Sequence, residues 1–241
     1  VQAVFALDLH THTRFFHGFT ARPTPFDPVG ARLLGLVAER RGLDGLAFTN
    51  HDYYAPQDAG PVVHIPGIEV TSSCGHVLVV GPDPPTFSNP ERMEPETVVE
   101  MAHDRDCVAI VAHPYRNSTV REVDADFDAI EVNGKHPRTR EWVERLADDH
   151  DLPTVGGSDA HYPFEVGRAY TRVDADELTP EAVVNAIRAG DVEPVVGDFV
   201  TDRAVRRLYR RIHDGKGQLQ TPAWVEADGP TPGVGSPPDE D

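Results

Sequence analysis

The sequence predicts an α/β fold built on a parallel sheet or barrel, and three observations predict it. Short apolar runs alternate with amphipathic stretches of helical spacing along most of the chain. The 241 residues are enough for one large α/β domain or two small ones, and no internal repeat is visible. Several of the apolar runs end in His, Asp or Glu, as happens where one edge of a sheet builds a site.

The elements follow in order. Val4–Leu9 is mostly apolar and reads as a buried strand. Val29–Arg41 reads as a helix with Leu33, Leu34, Leu36 and Val37 inward. Asp44–Thr49 is a strand, and Val62–Val70 and His76–Val80 are two more. The proline-rich stretch from Gly81 is a loop that ends at Pro95, where a helix runs to Asp106 before the strand Cys107–Ala112. Phe127–Val132 is strand-like, Arg138–Asp149 helical and Leu152–Gly156 a strand. Val166–Val173 and the helix Pro180–Ala189 complete the alternation. After about Phe199 the character changes. Residues 198–216 carry Arg203, Arg206, Arg207, Arg210 and Arg211, with Val205, Leu208 and Ile212 at helical spacing, and read as a basic amphipathic helix docked on the domain or on a partner. Residues 217–241, rich in Pro, Gly and Asp, read as a disordered acidic tail.

Composition narrows the function classes. Forty acidic residues against 22 basic give a net charge of −18, and only Lys135 and Lys216 are lysine. An acidic, lysine-poor surface keeps a protein soluble in high salt, which makes the chain a candidate halophilic protein; GC-rich codon usage on an ordinary acidic surface gives the same counts. Such a surface lacks the basic footprint of a duplex-binding protein, so no duplex nucleic acid is expected as a partner. No apolar run reaches the roughly 18 residues of a membrane span, so no membrane partner is expected. Cys74 and Cys107 form no C-x-x-C pair, and neither a charged leader region nor a small-residue cleavage site is visible. The expected location is cytoplasmic.

The chemistry lies at the strand ends. With a side-chain period of two, His10 and His12 point to one face at the end of the first strand. Taken alone this pair is weak evidence, because most histidines are simply hydrogen-bonded. It has company: His51 after the second strand, Glu69 and His76 at the third and fourth, His113 before Pro114, Glu131, and Asp159 with His161. Chance does not put so many nitrogen and carboxylate donors at one edge. Imidazole plus carboxylate without thiolate suits Mn, Zn or Fe rather than a structural zinc. His64, His103, His136, His150 and His213 lack this placement.

The runs Asp8-Leu9-His10-Thr11-His12-Thr13, Thr49-Asn50-His51-Asp52, Pro66-Gly67-Ile68-Glu69, His76, Ala112-His113-Pro114 and Gly157-Ser158-Asp159-Ala160-His161 resemble the PHP (polymerase and histidinol phosphatase) family of metal-dependent phosphoesterases. The resemblance covers about Val4 to Val196. It implies a distorted (β/α)₇ TIM-like barrel with a centre of two or three divalent transition metals at the C-terminal ends of the strands. It implies that residues 1–197 are the phosphoesterase domain, with a PHP-associated extension from about 165. Carried over residue by residue, His10, His12, Glu69 and Asp159 would hold the first metal. Glu69 would bridge to a second held by His76 and His113, and His17, His51 and His161 would hold a third.

The implied reaction is hydrolysis of a phosphate ester, by attack of a hydroxide shared between metals that lower the pKa of water to roughly 7. Asp52 is the first candidate for the acid that protonates the leaving group, unless it orients an imidazole instead, and His161 is the second catalytic candidate. Arg116, Arg168 and Lys135 are candidates for binding the substrate phosphate. The expected substrate is a small phosphate monoester, a nucleotide or a short oligonucleotide. A histidinol-phosphatase-like monoesterase and a non-catalytic metal-binding regulatory module are the competing readings. The stretch between His76 and His113 is short, which leaves little room for an inserted substrate-recognition domain.

Overall fold

A computed structural model describes residues 3–14, 22–89, 93–197 and 219–228. Strand β1 (Ala3–Thr11) leads to helix α1 (Asp27–Arg40) and strand β2 (Gly45–Phe48). Strands β3 (Val63–Ser72) and β4 (Gly75–Val80) form a hairpin, followed by α2 (Pro95–His103) and β5 (Val108–Val111). Then come β6 (Ala129–Asn133), α3 (Arg140–His150), β7 (Thr154–Gly157), β8 (Ala169–Ala175), α4 (Pro180–Ala189) and β9 (Val192–Val196). A short helix α5 (Ala223–Asp228) lies beyond the basic segment. Among the described residues no helix is long and apolar enough to cross a membrane.

All nine strands form one sheet, ordered β7-β6-β5-β4-β3-β2-β1-β8-β9. The sheet curls into a nearly closed barrel. The backbone N–H of His12, at the end of β1, donates to Ala160 O beyond β7 at 2.8 Å, and Gly156 N of β7 donates to Thr171 Oγ1 of β8 at 2.8 Å. The α/β barrel therefore stands, but not as seven uniform β/α units. β1–β2–β3 and β5–β6–β7 pair in parallel, whereas β4 runs antiparallel to both of its neighbours and β8 antiparallel to β1 and β9. The turn Ser73–Cys74 between β3 and β4 is too short for a crossover, which forces the antiparallel pairing. The reversal brings His76, the second residue of β4, to the edge where the parallel strands end.

Two aliphatic clusters hold this frame. One joins Leu7, Leu9, Ile65, Leu78, Ile110 and Val155 to Val183 and Ile187 of α4. The other seats α2 and α3 through Val98, Val99, Trp142 and Val143. Each fully buried aliphatic side chain contributes about 1.5–3 kcal/mol. Helix α1 corrects the sequence reading: Leu34 is buried, but Leu33 and Leu36 are exposed, at 42% and 39%. The face it packs is Asp27, Gly30, Ala31, Leu34, Gly35 and Ala38. A Cβ on Gly30 would collide with the carbonyl of Thr13, and one on Gly35 with that of Ala59, so the glycines let the helix lie directly on backbone.

The basic segment 198–216 and most of the tail lie outside the described residues. Residues 219–228 correct the reading of that tail as disordered throughout. Leu219 bridges to Arg116, Gln220 N donates to Tyr115 O at 2.8 Å, and Val225 is buried in the cluster with Trp142.

Candidate metal centre

Every described ligand candidate reaches one edge of the barrel. β1 brings His10 and His12, the turn after β2 brings His51, β3 brings Glu69 and β4 His76. The loop after β5 brings His113, and the loop after β7 brings Asp159 and His161. His17 lies outside the described residues. The backbone turns sharply as the strands end: Asp52, His113 and Asp159 have φ of 60°, 29° and 53°. Non-glycine residues held in this region cluster at sites that the surrounding structure over-determines.

Glu69 sits at the middle of the cluster, fully buried. Its Oε1 lies 2.6 Å from His76 Nδ1 and 3.1 Å from His113 Nε2. Its Oε2 lies 3.3 Å from both His10 Nε2 and His12 Nε2, and 3.0 Å from His51 Nδ1. Asp159 Oδ1 is 3.3 Å from His12 Nε2 and 3.8 Å from His10 Nε2. Three overlapping triplets bring their ligand atoms within 4.8 Å of one another: His10, His12 and Glu69; His51, Glu69 and His76; and His12, His51 and His161. These triplets cut across the expected groups. His51 lies as near the second group as the third, and His12 stands between the first and the third.

The donors fit a divalent metal. His10 Nε2, His12 Nε2 and Glu69 Oε2 are buried and make no hydrogen bond, although they lie close together. Buried polar atoms left this way cost about 1–3 kcal/mol each, and a cation among them satisfies all three. Electrostatics agree at His12, Glu69 and Asp159, whereas at His10 the charges of Glu131, Glu69 and Asp159 overcome burial and hold the ring well above the usual histidine range. Burial and the neighbouring His161 charge hold His12 well below the usual histidine range, so its ring is neutral as a ligand must be. Burial would raise the Glu69 and Asp159 carboxyls. His51, His76 and His10 around Glu69 overcome it, as do Lys135 and His10 beside Asp159, and both groups stay ionised.

A supporting layer holds these donors. Glu131, on β6, accepts from His10 Nδ1 at 2.7 Å and from the backbone N–H of His113 at 2.7 Å. That engagement turns His10 Nε2 toward Glu69. Asp8 accepts from Ser158 N at 2.9 Å and Gly167 N at 2.7 Å, clipping the Asp159 loop to β1, and its burial raises the carboxyl to about 6. Glu165 accepts from the backbone N–H groups of His161 and Tyr162. The Ser158 and Glu165 partnerships link residues far apart in sequence or hidden in loops. The spacing of Tyr162 and Glu165 as a capping box is the one local signal.

The candidates outside the ligand set divide. Arg116 Nη1 is 2.8 Å from Asp159 Oδ2, and Lys135 Nζ is 3.1 Å from Asp159 Oδ1 and 2.8 Å from His161 Nδ1, so both cations stand against the cluster. Arg168 does not join them. It is buried against Glu165 and the Phe164 ring, beneath the His161 loop, which leaves it no exposed face for a phosphate. Asp52 is likewise corrected. Its Oδ1 accepts from Thr71 N at 2.8 Å and Ser88 Oγ at 2.6 Å, and its Oδ2 from Thr71 Oγ1 at 2.7 Å. A carboxylate filled by three donors ties the His51 turn to β3, which is the orienting alternative rather than the acid.

Comparison with known proteins follows this geometry. The PHP-associated family model matches residues 137–192, which span α3 to α4. No curated protein matches the sequence. Among solved structures, PsfC from Pseudomonas syringae PB-5123 superposes with a TM-score of 0.65 at 17% identity, over 87% of this chain and 99% of that one. A two-domain protein from Bacteroides vulgatus ATCC 8482, containing a predicted PHP-like metal-dependent phosphoesterase, gives 0.57 at 19% identity, over 81% of this chain and 65% of that one. Endonuclease Q, in complex with a 27-mer duplex substrate with an abasic lesion at the active site, gives 0.52 at 16% identity, over 78% of this chain and 57% of that one. This chain therefore spans less than two thirds of the latter two proteins. The duplex complex overturns the expectation that net charge excludes duplex nucleic acid, because a protein of similar fold is found with a duplex substrate. Net charge is a sum over the whole surface and does not describe the mouth of one cleft. With the PHP-associated match in its second half and a barrel that superposes on that of a PHP-like protein, the chain is similar to the PHP family in fold.

Proposed function

We propose that the chain is a metal-dependent phosphoesterase, a hydrolase acting on phosphate ester bonds, with its catalytic unit in residues 1–197. The observation that carries this reading is the set of buried, unbonded donors of His10, His12 and Glu69, flanked by the cations Arg116 and Lys135. His10, His12, Glu69 and Asp159 would hold one divalent metal, and Glu69, His76 and His113 a second. His51 and His161, with His17, would hold a third. Mn, Zn and Fe all suit these ligands. Bound there, the metals supply a nucleophilic oxygen at neutral pH and neutralise phosphoryl charge.

The chain's own residues do the rest. Glu69 stays ionised and shared between groups of imidazoles, fixing their spacing. Arg116 would offer a guanidinium fork to the phosphoryl oxygens, beside Asp159, which would be among the ligands of the first metal. Lys135 Nζ, held at Asp159 and His161, is the ammonium closest to the reacting centre, and it orients the ester through a non-bridging oxygen. Where no third metal takes its ring, His161 would be the side chain to pass a proton to the leaving group.

The test is turnover of p-nitrophenyl phosphate, its bis ester, nucleoside bisphosphates, short oligonucleotides and a lesion-bearing duplex, after loading with Mn²⁺ in high-salt buffer. Hydrolysis that is lost on chelation and in His12→Ala supports the reading. Metal binding with no turnover of any ester leaves the non-catalytic metal-binding module instead.

A further inference from the structure

An open cavity of about 660 Å³ adjoins the cluster at His76. Its walls are the β3–β4 turn with Ser73 and Cys74, the loop after His113 with Asn117 and Ser118, and Gln220 of the C-terminal segment. That volume lies in the range of small-molecule sites. Among the described residues no Asp, Glu, Lys or Arg lines it, in a chain with 40 acidic and 22 basic residues. The approach to the metal centre at this point is uncharged and polar.

Gln220 is held in place rather than draped. Its backbone N–H donates to Tyr115 O at 2.8 Å, and Arg121 Nη1 donates to its Oε1 at 2.7 Å. Beyond it, Arg145 stacks over the Trp224 ring at 4.5 Å, and Val225 is buried. With Oε1 taken, the Gln220 amide N–H₂ is the group left to offer a ligand. Across the cavity Asn117 has φ of 45°, and its carboxamide makes no hydrogen bond among the described residues.

We propose that this cavity seats the neutral, hydroxyl-rich leaving group of the phosphate ester, a nucleoside or a sugar, with Gln220 and Asn117 as its specificity-determining contacts. This rests on the phosphoesterase reading. Amide and hydroxyl walls pair with ring hydroxyls and base edges. An apolar group would strand those amides, and an anionic one would meet no Lys or Arg among the described lining residues, inside a strongly negative protein.

The experiment uses the full chain loaded with Mn²⁺. It compares kcat/KM for adenosine 5′-monophosphate and ribose 5-phosphate with that for p-nitrophenyl phosphate, in wild type, Gln220→Ala and Asn117→Gly. The ratio favouring the hydroxylated esters should fall about 5- to 10-fold in each variant, the effect of one lost hydrogen bond. A second readout is direct titration with adenosine and with methyl riboside, neither of which carries a phosphate. Both should bind wild type and weaken in Gln220→Ala. Equal affinity marks the sugar as the recognised part, and tighter adenosine marks the nucleoside. An unchanged ratio, or no binding of either ligand while p-nitrophenyl phosphate is hydrolysed, overturns the inference and leaves the phosphoesterase reading standing. If no ester is hydrolysed, that reading falls, and the two titrations alone decide whether the cavity takes a hydroxylated ligand.

Discussion

The hydrogen bond between His10 Nδ1 and Glu131 Oε1 decides which ring nitrogen His10 presents to the cluster. Glu131 can reach it only because Gly157 lies alongside: a Cβ at Gly157 would fall 2.5 Å from both Glu131 Oε1 and His10 Cβ. Glu131→Ala removes the acceptor, so metal affinity should fall about 10- to 100-fold, the usual effect of losing such a support. Gly157→Ala should do the same by pushing the pair apart, with an added loss of about 1–3 kcal/mol of stability from overpacking. Competitive metal titration against a chromophoric chelator reads the first effect and urea unfolding the second. Wild-type affinity in Glu131→Ala would mean that the ring is held by its neighbours alone. At this scale the ligands were legible because each is a His or acid placed where an apolar run stops. The supports were not. The two readings of Asp52 stayed open because its donors, Thr71 and Ser88, arrive from β3 and a distant loop, and Arg168 was misread because its partner Glu165 hides it under the His161 turn.

Among the elements, strands and helices show in the sequence wherever side chains carry the pattern, and α1 shows where that fails. Its buried stripe runs through Gly30 and Gly35, which have no side chain to mark it, while Leu33 and Leu36 supply a false apolar signal on the solvent side. Gly30→Ala should therefore lower stability more than Leu33→Ser, by about 1–3 kcal/mol, since it lifts the helix off Thr13 beside the His12 ligand. The reversed strand β4 escaped because antiparallel direction leaves no mark in apolar runs. On β3, His64 stacks on Phe48 with ring centroids 4.8 Å apart, and burial pushes its imidazole down to about 4. The folded chain thus refuses a proton that the unfolded chain accepts below the ordinary value of about 6.5. The contribution is fully present above that pH and is lost as pH falls toward 4, by up to about 3 kcal/mol. The stability difference between wild type and His64→Phe, followed by urea unfolding from pH 7 to 4.5, should grow in favour of the variant as pH falls. A constant difference would show that His64 takes its proton in the folded protein.

At the scale of the whole molecule, the charge of −18 sets the field in which the metal centre works. That field was legible in the composition. Its bearing on partners was not, since a count of charges does not say where they lie, and no Asp, Glu, Lys or Arg among the described residues lines the cavity beside His76. Self-repulsion among so many carboxylates opposes the compact state, and salt relieves it because the screening length shrinks from about 10 Å at 0.1 M to about 3 Å at 1 M. If the acidic surface is an adaptation to high salt, the melting temperature should climb by roughly 5–10 °C between 0.1 M and 2 M KCl, corresponding to about 2–3 kcal/mol for a chain of this size. The metal adds a separate term. Buried imidazoles and carboxylates that bind the folded state alone should add about 4 kcal/mol at a metal concentration one thousand times the dissociation constant. Because the cluster is buried, that increment should persist at 2 M KCl, whereas the surface term saturates. Calorimetric scans with and without Mn²⁺ at both salt concentrations separate the two. A melting temperature indifferent to KCl in the metal-free protein would reduce the acidic surface to a matter of codon usage. A metal increment that vanishes in high salt would place the ion on the surface rather than among His10, His12 and Glu69.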